Sequence, residues 1–228
     1  MIYYDKNRKP INIDIEKMEK IKSTGISSRV FHNDRIILKK YRPRIHPFCK
    51  ITPKMFKTLK TIQNDHFIEL YEMFSEKKRL RFKIDAYTAK YYSPEDINIY
   101  EQPTDYILDN FSELEKLFEV FTNERIETDD IKFENSILTS NEIIIIDPDL
   151  FTKSFLSKDI ISVANKLELL KLLRSILIKT VKAKGYECIL GKESLFDFKV
   201  DENTDITHEL SKKLKPYKKT IDYFKKYN

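Results

Sequence analysis

Asp130, Lys132 and Asn135 stand within six positions of one another. A short polar turn follows, and then an apolar run, Ile143 to Ile146, that ends at Asp147. Phosphoryl transfer needs these residue types in this order. One carboxylate faces the attacking hydroxyl and a lysine offsets charge on the group in flight. An amide oxygen and a second carboxylate hold a divalent cation against nucleotide phosphates. The competing account is a polar turn followed by a buried strand whose acids only cap its end. Either half alone favours that account. The two halves in order, about a dozen residues apart, favour the chemical one.

These residues need elements to position them. Residues 23–31 read as a strand, Asn33 and Asp34 as a tight turn tolerant of left-handed backbone angles, and 35–39 as a second strand. Pro43 and Pro47 interrupt the chain. Thr52 as N-cap and Pro53 in the first turn then open a helix running to about Ile62. Residues 67–74 and 80–84 look like further strands, while 87–103 is weakly patterned and suits a connection. Ile107, Phe111, Leu114, Phe118 and Phe121 recur at steps of four and three, the buried stripe of a helix. A second helix is expected from Asp159, with Val163, Leu167, Leu170, Leu173, Leu177 and Val181 in phase.

Composition narrows the classes. A chain of 228 residues can bury a core as one domain or as two small lobes. With 41% hydrophobic and 34% charged residues, the balance is globular and not disordered. The N-terminus has no apolar stretch behind its charges, so no signal peptide is expected. The most apolar segment, 160–181, is broken by Lys166, Glu168, Lys171, Arg174 and Lys179, which excludes a membrane span. Two cysteines, Cys49 and Cys188, form neither a disulfide framework nor a metal-ligand spacing. A cytoplasmic, reduced protein is expected. The formal charge of +6 is uneven. Residues 41–64 lack acids, and the stretch from Lys212 onward holds seven lysines against Asp222 alone. Such a surface suits an acidic protein or nucleic acid, or is simply a solvated lysine-rich face.

Asp130-Ile-Lys-Phe-Glu-Asn135 resembles the D-L-K-P-E-N catalytic loop of protein kinases, and Ile146-Asp147-Pro148-Asp149 resembles their metal-binding D-F-G. Ser23-Thr-Gly25-Ile-Ser-Ser28-Arg-Val30 is similar to the glycine-rich loop, with only the middle glycine kept. Ile36-Ile-Leu-Lys39 is similar to the V-A-I-K strand. Register favours Lys39 over Lys40. Asp159-Ile-Ile-Ser-Val-Ala164 resembles the start of the long buried kinase helix, whose aspartate ties down the catalytic loop; a plain N-cap aspartate is the equal alternative. The resemblance covers roughly residues 20–175.

It implies an α+β, protein kinase-like bilobal fold: a small β-rich N-lobe (1–86) and a reduced helical C-lobe (87–228) carrying the basic tail. It implies ATP and magnesium as cofactors. Gly25 would permit close approach to phosphate, Val30 would roof the adenine and Lys39 would bind the phosphates. Asp130 would act as base with Lys132 beside it, and Asn135 and Asp147 would hold the metal. The acceptor would be a hydroxyl, of a Ser or Thr in a protein or of a small molecule. Ser23, Thr24, Ser27 and Ser28 are candidate self-modification sites. Departures are specific. Met55 stands where kinases carry the glutamate that pairs with the lysine, and Thr128-Asp129 replaces His-Arg before Asp130. Only about ten residues separate Asp147 from the next helix, too few for a peptide-docking activation segment. With no acid on the 52–62 helix, Lys39 should be unpaired or meet an acid from elsewhere: Asp147 foremost, with Glu16 and Glu19 as further candidates. An active kinase, a pseudokinase that binds nucleotide or a partner without turnover, and a basic nucleic-acid-binding module are therefore the three functions in view.

Overall fold

The computed structural model describes residues 2–4, 10–12, 14–21, 28–42, 51–74, 84–93, 103–183, 200–201 and 203–227. The fold class is α+β, with a five-stranded antiparallel sheet and four α-helices among the described residues. The chain divides into two compact units, Met1–Ser93 with Asp147–Phe151, and Pro94–Ile146 with Thr152–Asn228. Gly25, Ser23, Thr24, Ser27, Cys49, Cys188 and residues 80–83 lie outside the described residues.

The first unit opens with a two-stranded ribbon, β1 (Ile2–Tyr4) against β2 (Pro10–Asn12). Its main sheet contains β3 (Glu19–Lys20), β4 (Ser28–His32), β5 (Ile36–Tyr41), β6 (Leu70–Phe74) and β7 (Ala86–Lys90), in the order β3-β4-β5-β7-β6. The β4–β5 hairpin falls at Asn33 and Asp34, but not for the expected reason. Among described non-glycine residues only Arg125 and Asp130 have positive φ, so neither turn residue is left-handed. Instead the Asn33 side chain accepts from the backbone N–H of Arg35 (3.0 Å) and Ile36 (2.9 Å), closing the turn as an Asx motif.

Strand β7 takes up the start of the weakly patterned stretch 87–103, expected to include a connection; residues 94–102 of that stretch lie outside the described residues. Ala86, Tyr87, Thr88 and Ala89 are all buried between β5 and β6. A strand buried on both faces shows no alternation, so periodicity cannot reveal it. On one face Leu38, Phe74 and Ala86 form a cluster covered by Ile15, Met18 and Phe31. On the other face Val30, Lys39 and Tyr87 lie side by side in register. Helix α1 (Pro53–Lys60) packs Phe56 against Tyr87 there, with ring centroids 5.8 Å apart. Thr52 caps α1 by accepting from Met55 N at 3.1 Å, with Pro53 in the first turn. Met55, Phe56 and Leu59 are buried while Lys54, Lys57 and Lys60 are exposed.

In the second unit α2 (Pro103–Asn123) buries Ile107, Phe111, Leu114, Phe118 and Phe121 and packs on α3 (Lys158–Ala183). Between them run β8 (Ile126–Glu127), a 3₁₀ turn at Phe133–Asn135, β9 (Ser136–Leu138), β10 (Ile143–Ile145) and β11 (Thr152–Lys153). β9 pairs with β10, and β8 with β11. Two α2 side chains hold the β9–β10 hairpin. Tyr106 donates to the carbonyls of Thr139 and Glu142, and Asn110 Oδ1 accepts from Ile143 N.

The expected apolar stripe of α3 holds only from Leu170 onward. Leu167 is 43% exposed, and the buried positions of the first turns are Ile161, Asn165, Glu168 and Leu169. Asp159 is exposed in the first turn, and Ser157 caps the helix. The lysine-rich tail is an amphipathic helix, α4 (Ile206–Tyr227). It buries Ile206, Leu210 and Leu214 at steps of four and packs on α2. No described helix is long and apolar enough to cross a membrane.

Candidate active site

Strand alternation turns Lys39 inward, where it is only 5% exposed. Its Nζ lies 2.6 Å from Asp147 Oδ1 and 2.9 Å from Asp149 Oδ2, with the Tyr87 ring centroid at 6.0 Å. The two acids sit on a compact turn. Asp149 N donates to Asp147 Oδ1 at 3.3 Å, and Phe151 N donates to the Pro148 carbonyl. Phe151 stacks on Phe67, which pins the end of the turn within the first unit. Behind Asp149, the Tyr41 hydroxyl donates to Oδ1 at 2.5 Å and accepts from Ile51 N at 3.4 Å.

One ammonium therefore faces two carboxylates, and the ionisations follow. Burial pulls the Lys39 pKa down, but the charges of Asp149 and Asp147 outweigh it and hold the amine well above its ordinary value. Asp149 moves the other way from an ion-paired acid. Burial and the neighbouring Asp147 charge outweigh Lys39 and Tyr41, and its pKa rises to about 6. The two shifts are compatible because Asp147 stabilises a cation and destabilises a second anion. Burial, with Asp149 next, also raises Tyr41 and Tyr87 well above the usual phenol value. Asp149 Oδ2 has its ion pair with Lys39 but no hydrogen bond of good geometry, and the buried Tyr87 hydroxyl finds none either.

Asp130 is in the second unit with φ at 57°, a left-handed conformation that aspartate tolerates better than most residues. Its side chain is 42% exposed. Lys132 Nζ reaches Oδ1 at 2.7 Å, and Asn135 Nδ2 donates to the Asp130 carbonyl at 2.7 Å and to Oδ2 at 3.1 Å. Helix α3 holds this loop by its backbone. Asn165 Oδ1 accepts from Thr128 N (3.0 Å) and Thr128 Oγ1 (2.9 Å), while its Nδ2 donates to the Ile126 carbonyl at 2.9 Å. Glu168 accepts from Ile131 N, and Ser175 Oγ accepts from Phe133 N at 2.7 Å. Asn165 and Glu168, not Asp159, tie the loop down. Thr128 is buried at the place where the resemblance expects histidine.

Among the candidate residues, the first unit brings Lys39 and Asp147 together, with Val30 opposite Lys39 in register. The second brings Asp130, Lys132 and Asn135 together. Gly25 lies outside the described residues. Glu16 and Glu19 do not serve Lys39. Both are exposed, and Glu19 lies 3.7 Å from His32. Ser28 is buried at 5%, which removes it as a self-modification site. Sequence reasoning missed Asp149, Tyr41, Asn165 and Glu168. The visible signals were a second acid two positions after Asp147 and two polar residues three apart inside an apolar helix.

A carboxylate such as that of Asp147 is a donor type that magnesium takes. No group of three His, Cys, Asp or Glu side chains among the described residues could hold a metal. Magnesium, however, takes one or two carboxylates and completes its shell with phosphate and water. Asp147 is 29% exposed, and its described contacts all fall on Oδ1, leaving Oδ2 to a cation. Comparison with known proteins finds no family model that matches this chain and no curated protein similar to it.

Proposed function

We propose that this chain is an ATP- and magnesium-dependent phosphotransferase of protein kinase-like, bilobal architecture that acts on a hydroxyl, with Ser or Thr of a protein as the expected acceptor. The observation that carries the reading is the ion pair of Lys39 with Asp147. These residues lie 108 positions apart, and the resemblance gives one to the nucleotide phosphates and the other to the metal. Lys39 would bind the nucleotide phosphates and Asp147 would hold the metal, with Asn135 a second metal ligand on the resemblance alone; the metal would supply positive charge to offset that of the phosphates. The acceptor oxygen forms a bond to the γ-phosphorus as the bond to the β,γ-bridging oxygen breaks and ADP leaves. Asp130 takes the hydroxyl proton. Lys132, already beside Asp130, offsets charge on the transferred group.

A pseudokinase is the second reading, and specific contacts favour it. Lys39 is engaged by two acids, and both Asp130 oxygens are engaged by Lys132 and Asn135. One experiment separates the two. The protein is incubated with γ-labelled ATP and magnesium, alone and with a generic protein acceptor, and phosphate is located by mass spectrometry. Transfer that disappears in Asp147→Asn supports the first reading. Saturable ATP binding without transfer in any condition supports the second, and no nucleotide binding at all sinks the first and leaves the second only as a partner-binding protein.

A further inference from the structure

Asp147 and Asp149 both reach Lys39, yet their surroundings differ. Asp147 is 29% exposed and has an oxygen to spare, whereas the Asp149 side chain is 8% exposed and fixed from behind by Tyr41. Tyr41 is itself 3% exposed, lies 6.3 Å from the Tyr87 ring and accepts from Ile51 N. A carboxylate held at both ends cannot turn towards an incoming ligand, while one with a solvent-facing oxygen can. The positions on α1 cannot supply a competing acid, because the helix carries none and Met55 is buried.

We propose that Tyr41 and Asp149 form a buried clamp that positions Lys39, leaving Asp147 as the acid that faces metal and nucleotide. The inference rests on the phosphotransferase reading for what Lys39 is positioned to bind, though the clamp itself is a property of the free protein. Asp149 does not touch the reacting atoms and acts only through the lysine. Position and charge are separable here. Tyr41→Phe removes one hydroxyl and no charge, whereas Asp149→Asn removes the charge and keeps an acceptor for Tyr41. The clamp makes Lys39 placement independent of any movement of α1, since both of its members lie outside that helix.

The test reads Lys39 directly. In chelator-treated, ¹⁵N-labelled protein, an immobilised lysine ammonium gives a resolved proton–nitrogen signal, assigned by its loss in Lys39→Arg. The signal should persist, shifted, in Asp147→Asn. It should broaden away in Asp149→Asn and weaken in Tyr41→Phe. In parallel, a small amine-acylating reagent at one pH should label Lys39 several-fold faster in Asp149→Asn, with exposed Lys57 as the internal standard. Turnover should fall by about tenfold in Asp149→Asn, the scale of a supporting-residue loss, with its magnesium dependence unchanged. A signal kept in Asp149→Asn and lost in Asp147→Asn would overturn the clamp, as would unchanged labelling in a folded Tyr41→Phe. If the wild type shows no transfer, the phosphotransferase reading falls, and the ammonium signal still decides the clamp.

Discussion

At the scale of single residues, the imbalance of one ammonium against two carboxylates makes unequal predictions for its members. Removing Lys39 leaves Asp147 and Asp149 adjacent and uncompensated, whereas removing the Asp149 charge leaves a balanced pair. Lys39→Met should therefore lose roughly 3–5 kcal/mol at neutral pH, the cost of breaking a buried ion pair from one side. Asp149→Asn should lose about 1 kcal/mol or less, because Asn still accepts from Tyr41. Equal losses in urea denaturation would show that the acids do not repel as the geometry requires. The pH dependence has a definite sign. Asp149 is raised to about 6, so the folded chain holds its proton more tightly than the unfolded chain does. The resulting stability is fully present below the ordinary carboxylate pKa and is lost as pH rises through about 6. In chelator-treated protein, stability relative to Asp149→Asn should fall by roughly 1–3 kcal/mol between pH 4 and 7, at ~1.4 kcal/mol per pKa unit. A flat difference would sink the assignment. Asp130 makes a kinetic prediction. Asp130→Ala should leave nucleotide affinity nearly unchanged and lower transfer by roughly a hundredfold, the loss expected for a positioned base. Transfer within twofold of wild type would return Asp130 to a purely structural role in its loop.

At the scale of elements, α3 is what gives the Asp130 loop its shape. Asn165 satisfies the Thr128 N–H and hydroxyl and the Ile126 carbonyl, all within the second unit. Asn165→Leu leaves three buried polar groups without a partner, so a loss of about 3 kcal/mol is expected, together with reduced turnover. A loss below 1 kcal/mol would mean that the loop is held by its own bonds to Lys132 and Asn135. Helix α1 makes the opposite test. Met55→Glu would bury a carboxylate in a unit whose lysine already has two, so stability should fall and turnover should not rise. A large gain in activity would reveal a kinase disabled at that one position. What was legible beforehand follows element by element. The hairpin, α1, α2 and the Asp130 loop were readable because caps, periodicity or local motifs mark them. The Tyr41–Asp149 contact was not, since it joins positions 108 apart and nothing local distinguishes a clamping acid from a turn acid. Asn165 and Glu168 were hidden because a polar residue in an apolar helix reads as its solvent face, yet here it faces a loop that needs donors and acceptors. Strand β7 lacked alternation because both its faces are buried.

At the scale of the whole molecule, the net charge of +6 admits a partner rather than a reaction, and the placement of the lysines decides how strong that claim is. Basic residues fall on both units. Lys54 and Lys57 are exposed on α1, and Lys212, Lys215 and Lys219 are exposed on α4. Others are engaged within their own unit. Lys60 meets Glu72 at 3.3 Å, and Lys218 meets Asp105 at 2.7 Å. Helix α4 has a buried apolar face against α2, so Lys212, Lys215 and Lys219 are on the solvent side of a packed helix, the distribution that amphipathicity alone requires. Binding to nucleic acid should therefore be weak and dominated by a few phosphates. For a duplex the slope of log affinity against log salt is about −0.9 per phosphate neutralised, so a slope shallower than about −3 is expected. Fluorescence anisotropy of a labelled duplex across a salt series measures it. A slope near −6 or steeper would mean that many lysines converge on one strand path, and it would make nucleic acid, and not a phosphorylated hydroxyl, the partner around which this surface is organised.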